Sequence, residues 1–287
     1  MQNVQQHLFL FVFICVFSFL IYLLIRDKIH NKNKKFVTIK KNKKYNQNIF
    51  RNSQDNSGVI FVSLPIKPIG IKETVYHELP KNIRLKSIKY NGVFDIIVNI
   101  DNTLEETKIK VKGDKAFVDL VNVNNTENII EITHPQFNCN SNIDCYIEIN
   151  TPYIDTFYNK GRGAIEIKGI ESKEFTFHQL GLEDVSLSGV VEKLYITLKS
   201  KGDVYAQGLK SSEGFIHNNG LGDIYCNVKK NLICDIKYKG NIYLKDFNVS
   251  IKKNDNGEGD LIYRPFEDDI LNFIFINFQK IFKMKIK

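Results

Sequence analysis

Asp184, Asp203 and Asp223 follow one another at intervals of 19 and 20 residues. Each stands directly before an apolar residue, Val185, Val204 and Ile224 respectively. If the intervening segments fold alike, the three carboxylates form a column. Neighbours would then lie about 5 Å apart and alternate members about 10 Å. These separations fall near the two carboxylate spacings that glycoside hydrolysis uses. The plainer role for an aspartate here is structural: its side chain closes its own turn. Lys199, Lys201 and Lys239 stand close by to offset the repulsion. Any regular stack generates such columns, and no pair of acids in unlike surroundings is visible. The column is therefore a ligand-facing candidate, and no catalytic residue is assigned.

Other motifs carry less. The pairs Gly161/Gly163 and Gly220/Gly222 do not extend to G-x-G-x-x-G and precede no helical pattern. A phosphate cradle needs the N–H groups of a helix N-terminus or a nest, so these read as corner glycines. A calcium-binding β-roll needs a nine-residue period, and the interval here is about twice that. The 6 His are scattered, with no H-E-x-x-H and no G-x-S-x-G. His178 and His217 fall on outward positions two repeats apart, too far to share a metal. Among the 5 Cys, Cys139 and Cys145 flank a polar loop and suit a hairpin-closing disulfide in an exported domain. Cys226 and Cys234 fall on inward positions and read as small core thiols. No C-x-x-C pair supports zinc or redox chemistry, and no cofactor is expected.

The elements that position these residues follow from a repeat. Aligned at the first apolar residue, successive units are anchored at Ile165, Val185, Val204, Ile224 and Ile242. Each unit holds two runs of alternating character, for example Val185/Leu187 and then Leu194/Ile196/Leu198. Period-two alternation marks a strand with one buried face. Two short strands per unit of about 19 residues suit one rung of a parallel β-helix. A helical solenoid is disfavoured, because the units are too short and carry no 3.6-residue stripe.

The ends of the chain differ from the repeat. Leu8–Ile25 is an 18-residue run without charge, near the lower limit for crossing a bilayer. No small-residue cleavage site follows, so an uncleaved anchor is expected. Residues 26–57 are rich in Lys and Asn and read as a basic linker touching anionic lipid. Nine Lys/Arg lie between Arg26 and Lys44, against one acid, Asp27. The net charge of +8 is thus concentrated there and the remainder is near neutral. A nucleic-acid-binding domain would carry its basic face on the fold itself, so nucleic acid is not an expected partner. At the other end, Ile270, Leu271, Ile274, Phe275, Phe278, Ile281 and Phe282 share one helical face. That pattern suits a helix capping the β-stack. Because Phe273 and Ile276 widen the apolar face, it also suits an interfacial or partner-docking segment.

Several stretches resemble one family. IRLKSIKYNGVFDIIVNIDNTLEETKIKVKGDKAFVDLV (Ile83–Val121) looks like the opening of the bacterial head GIN domain of auto-transporter adhesin type. The likeness rests on a strand, Gly92, the Phe94-Asp95 strand, and a basic-apolar strand ending in Gly113-Asp114. NIIEITHP resembles the following strand, and Ile147–Ile170 carries Pro152 and Gly161/Gly163 in the expected order. The likeness covers roughly residues 80–248. It departs at Ala164 and Asn241, which replace Asp, and at Asn227, which stands where a mid-rung Gly is found elsewhere. The resemblance implies an all-β helix-like stack on exported or envelope-anchored bacterial proteins. It implies no established reaction and no catalytic residues.

The expectation is an all-β protein with four parts: tail and transmembrane anchor (1–25), basic linker (26–57), β-solenoid (58–250), and a tail with an amphipathic helix (251–287). Its role is binding or structural, adhesin-like, at the cell envelope, with a protein or glycan ligand. The alternatives are a polysaccharide-acting enzyme using the Asp column and a cytoplasm-facing scaffold. Orientation is in tension, because cations following the span favour a cytoplasmic C-terminal bulk while the resemblance favours export.

Overall fold

In chain order the strands begin with β1 (Lys72–Glu78), β2 (Ser87–Asn91), β3 (Asp95–Ile100) and β4 (Lys108–Asp114). A one-turn helix α1 (Lys115–Val118) leads to β5 (Asn122–Thr126), β6 (Ile129–Thr133), β7 (Tyr146–Thr151) and β8 (Thr156–Asn159). Four long strands follow: β9 (Ile165–Gln179), β10 (Val185–Leu198), β11 (Val204–Asn218) and β12 (Ile224–Ile236). The last are β13 (Ile242–Leu244), β14 (Ser250–Asp255) and β15 (Leu261–Tyr263). This computed structural model describes residues 67–79, 85–134, 145–255 and 257–263. The expected anchor at 8–25, the linker at 26–57 and the amphipathic segment at 268–287 lie outside the described residues. Among the described residues no helix is long and apolar enough to cross a membrane.

The fold is all-β and its second half is a parallel β-solenoid. The sequence anchors stack in register: Ile165 on Val185, Val185 on Val204, Val204 on Ile224, and Ile224 on Ile242. Inward residues of successive rungs therefore form continuous columns, and Ile165, Val185, Val204, Ile224 and Ile242 are all buried. Burying each such side chain contributes about 1.5–3 kcal/mol. The rungs are not pairs of short strands, as the two alternating runs predict. Each of β9 to β12 is one bent strand of 13–15 residues. The bend is absorbed by register shifts, between Leu187 and Gly189 against β9 and between Ser186 and Ser188 against β11. Gly189 sits at this bend with φ of 140°, a left-handed value that glycine tolerates. A Cβ there would lie 2.0 Å from the Ile170 carbonyl oxygen. In β12 the bend is shorter: Cys226 pairs with Ala206, and Asn227 then pairs with Lys210. Asn227 stands in for the mid-rung glycine, and its Nδ2 donates to the Gln207 carbonyl at 3.2 Å.

The first rungs do not follow chain order. β2 lies between β6 and β8, and β3 lies between β7 and β9, all in parallel. The rung made by β6 and β7 is thus outside the earlier rung made by β2 and β3. This end is then closed by antiparallel strands, β4 on β7, β1 on β4 and β5 on β6. α1 adds a lid through buried Phe117 and Val118. Asp114 caps α1: its carboxylate accepts from Ala116 N at 3.0 Å and from Gly70 N at 2.7 Å. Burial opposes its charge, but the N–H groups of Ile69, Ala116 and Gly70 outweigh it and hold the carboxyl below its ordinary value.

Candidate functional site: the corner column

Each long strand ends in a five-residue corner, whose last residue is Asp184, Asp203 or Asp223 after β9, β10 and β11 and Asn241 after β12. Across the corner, Val185 N donates to the Asp203 carbonyl and Val204 N to the Asp223 carbonyl, both at 2.9 Å. A second bond runs the other way. Asp203 N donates to Asp184 Oδ1 at 2.9 Å, Asp223 N to Asp203 Oδ1 at 2.8 Å, and Asn241 N to Asp223 Oδ1 at 2.8 Å. The three aspartates therefore stand one above another, each accepting on Oδ1 from a backbone N–H of the next rung. Each stitches its rung to the next. The reason is local: the corner's own amides are occupied, since Leu221 N and Gly222 N both donate to the Ser200 carbonyl of the neighbouring rung. The carboxylate supplies the acceptor that the ladder would otherwise lack for the next corner.

The column is longer than the three residues read from the sequence. Asp95 Oδ1 accepts from Ala164 N at 2.9 Å, and Asn241 Oδ1 accepts from Asp260 N at 2.9 Å. Ala164 interrupts it, having no oxygen to continue the series. The signal for these further members was present: Asp95 and Asp260, like the others, stand immediately before the first inward apolar residue. The preceding glycines have a steric reason. A Cβ on Gly222 would lie 2.2 Å from the Gly202 carbonyl oxygen, and one on Gly202 2.3 Å from that of Glu183.

Beside the column runs a ladder of tyrosines. Tyr205, Tyr225 and Tyr243 stack with ring centroids 5.0 and 4.6 Å apart. Their faces cover one another, so the ladder offers ring edges and hydroxyls rather than the open face on which a sugar stacks. Tyr205 OH donates to Asp203 Oδ2 at 3.1 Å. Burial, then the Asp203 and Asp184 carboxylates, push its phenol well above its ordinary value, so it remains a donor. Asp203 thus accepts on both oxygens.

A row of buried amides was missed in the sequence. Asn159, Gln179 and Asn218 are fully buried at the inner end of their strands. Asn159 Nδ2 donates to Gln179 Oε1 at 2.7 Å, and its Oδ1 accepts from Gly161 N at 2.8 Å. Asn218 Oδ1 accepts from Gly220 N at 3.1 Å, and its Nδ2 donates to the Gly222 carbonyl at 3.0 Å. These amides tie the corner to the core. The signal was an inward-phase polar residue continuing an apolar alternation, as in Phe175, Phe177, Gln179.

The remaining candidates are not brought together. His178 and His217 are separated by Thr197 in the same outward column. His178 stacks on Tyr158 with centroids 4.5 Å apart, and burial followed by Lys199 lowers its pKa. His217 Nδ1 lies 3.6 Å from Asp235 Oδ2, beyond hydrogen-bond range. Cys226 and Cys234 are buried in the core, and burial pushes the Cys226 thiol up. Cys145 is buried, and its Sγ accepts from Asp114 N at 3.3 Å; Cys139 lies outside the described residues. Among the described residues no three His, Cys, Asp or Glu side chains are placed to hold a metal ion.

Residues 84–246 match the model of one family, described as "Putative auto-transporter adhesin, head GIN domain". The chain belongs to this family. No curated protein matches the sequence. Among solved structures, the head GIN domain here is similar to a protein of Bacteroides fragilis titled a "putative adhesin". That pair shares 19% identity and a TM-score of 0.54, over 69% of this chain and 99% of the other. A "putative adhesin" of Parabacteroides merdae is 16% identical with a TM-score of 0.43, over 69% and 98% of the two chains. The Bacteroides likeness supports the fold alone. The corner stitches described above lie inside the matched region up to Asn241, while β14 and β15 extend the head GIN stack beyond it.

Proposed function

We propose that this chain is a membrane-anchored envelope protein whose head GIN solenoid is an adhesin-like binding or structural module. Residues 8–25 serve as the anchor, and the basic linker contacts anionic headgroups. The observation that carries a non-enzymatic reading is the use of the corner carboxylates. Asp184, Asp203 and Asp223 each place Oδ1 on a backbone N–H of the next rung. Such oxygens brace a scaffold, whereas a hydrolytic pair needs one carboxyl held as an acid and one left to attack. Recognition then falls to outward side chains repeated once per rung on a fixed ladder, presented to a protein or glycan at the cell surface. A topology reporter fused after residue 60 tests the placement. A signal from outside the cytoplasm supports the envelope role. A cytoplasmic signal overturns it in favour of a tethered scaffold facing the cell interior.

A further inference from the structure

Five successive corners, residues 160–164, 180–184, 199–203, 219–223 and 237–241, stack as directly as the strands they join. Leu182 N donates to the Gly161 carbonyl at 3.2 Å, Lys199 N to that of Gln179 at 2.9 Å, Leu221 N to that of Ser200 at 2.8 Å and Lys237 N to that of Asn218 at 2.9 Å. Neighbouring corners are therefore about 4.8 Å apart, and the outermost two about 19 Å apart. The first three residues of each corner read Lys-Gly-Arg, Leu-Gly-Leu, Lys-Ser-Lys, Asn-Gly-Leu and Lys-Tyr-Lys. Cationic and leucine-bearing corners thus alternate along one edge of the solenoid, each about 10 Å from the next of its kind. The apolar side chains of this edge face water: Leu180, Leu182, Leu221 and Tyr238 are each 41–50% exposed.

No acid stands among the first three residues of these corners. Glu183 holds a fourth position, and Asp184, Asp203 and Asp223 hold the fifth, where each turns Oδ1 to an N–H of the next rung. Among the described residues Lys160, Lys199 and Lys201 form no ion pair, while Lys237 and Lys239 reach Asp235 and Glu258 at 3.1 and 3.2 Å. The opposite bend of the rungs differs, because its cations meet acids: Lys193 pairs with Glu174 and Lys229 with Asp246. Repulsion between like charges on adjacent rungs explains why the cations skip a rung. It does not explain why exposed leucines fill the gaps. We propose that this edge docks on an anionic bilayer surface, with Leu180, Leu182 and Leu221 in its interfacial layer and Lys160, Lys199 and Lys201 on lipid phosphates. A bilayer takes apolar and cationic side chains in one plane, whereas an acidic polymer in water would pair the lysines and leave the leucines wet. This docking rests on the membrane-anchored reading and adds to it a second contact, made by the solenoid itself.

The test places a fluorescent amino acid at Leu182, or at Val190 on the opposite bend, in the full-length protein. Each protein is reconstituted into nanodiscs of two parts phosphatidylcholine to one part phosphatidylglycerol, with brominated acyl chains as quencher. Quenching at position 182 at least threefold stronger than at 190 is expected. It should fall at least twofold in discs of phosphatidylcholine alone, and equally in the double variant Lys199→Gln, Lys201→Gln. Thermal melting checks that this variant folds; if it does not, the comparison of lipids decides alone. Equal quenching at the two positions, or quenching at 182 that ignores phosphatidylglycerol, overturns the proposal. So does a probe shielded by an added acidic polysaccharide but not by lipid, which would assign the edge to a polymer. Recovery of the chain with the discs reports the anchor separately. A chain that stays outside the discs refutes the anchor, and the same quenching at 182 is then expected when preformed vesicles of the mixed lipids are added; its absence there refutes the docking edge as well.

Discussion

Asp203 is the position at which the bracing and the chemical readings of the column part. Asp203→Ala removes the acceptor for Asp223 N, 2.8 Å away, and the partner of Tyr205 OH, 3.1 Å away. A hydrogen bond to a charged group contributes about 1.5–3 kcal/mol, and losing it leaves the other partner unsatisfied. Asp203 is half-buried, so water repairs part of the loss and about 1–2 kcal/mol is expected. For a domain of this size each kcal/mol moves the melting temperature by about 2–4 °C, so a fall of about 2–8 °C follows. Asp203→Asn keeps an Oδ1 in the same place. The column already holds such a residue, since Asn241 Oδ1 accepts from Asp260 N at 2.9 Å. The Asn variant should therefore melt within about 1 °C of the parent. Calorimetry or thermal circular dichroism on the full-length protein reads both. If Asn costs as much as Ala, the charge and not the acceptor is what the column needs, and the stitching argument fails. If Ala costs nothing, the bond to Asp223 N is not a brace.

Gly222→Ala should cost about 2 kcal/mol or more, because its Cβ would meet the Gly202 carbonyl at 2.2 Å; the shift of a urea midpoint measures this. Asn218→Leu has room, since Leu198 and Ile236 occupy the same column. It strands Gly220 N and loses the bond to the Gly222 carbonyl, so about 2–3 kcal/mol of destabilisation at unchanged packing is expected in the same assay. Tyr225→Ala removes the middle ring of the ladder and two stacks, each worth about 0.5–1.5 kcal/mol beyond burial, and should lower the melting temperature more than Tyr243→Ala. Glu148 is held below the ordinary glutamate range, first by its hydrogen bond from Lys110 at 2.9 Å. Its contribution is therefore present above about pH 4.3 and is lost as pH falls through the lower folded value. Glu148→Gln should flatten that part of the acid-stability profile, and an unchanged slope would show the pair to be idle.

Much of the solenoid was legible because its signals are local and repeated. Alternation named the inward residues, and the spacing from Ile165 to Ile242 set the register that the strands adopt. The corner glycines were recognisable because close passage of one rung over the next leaves no room for a Cβ. Less legible were the partners. Asp203 accepts from the N–H of Asp223, 20 residues away, because parallel stacking sets that donor opposite its carboxylate. Asn159, Gln179 and Asn218 belong to no motif in the sequence. Their inward phase becomes meaningful only once the corner supplies N–H and C=O groups to bind them.

The sequence by itself determined that the chain stacks β-rungs of about 19 residues, because period-two burial and a fixed repeat leave few other folds. It also determined which side chains line each column, because parallel in-register strands place like positions one above another. Only the tertiary structure decided the order of the first rungs, with β6 and β7 outside β2 and β3, since strand pairing across long connections leaves no local trace. It alone decided that each rung is one bent strand, because the bend is set by contact with the rung below. And it alone decided what the corner aspartates do, since a carboxylate takes its role from the donor opposite it, and that donor belongs to the next rung.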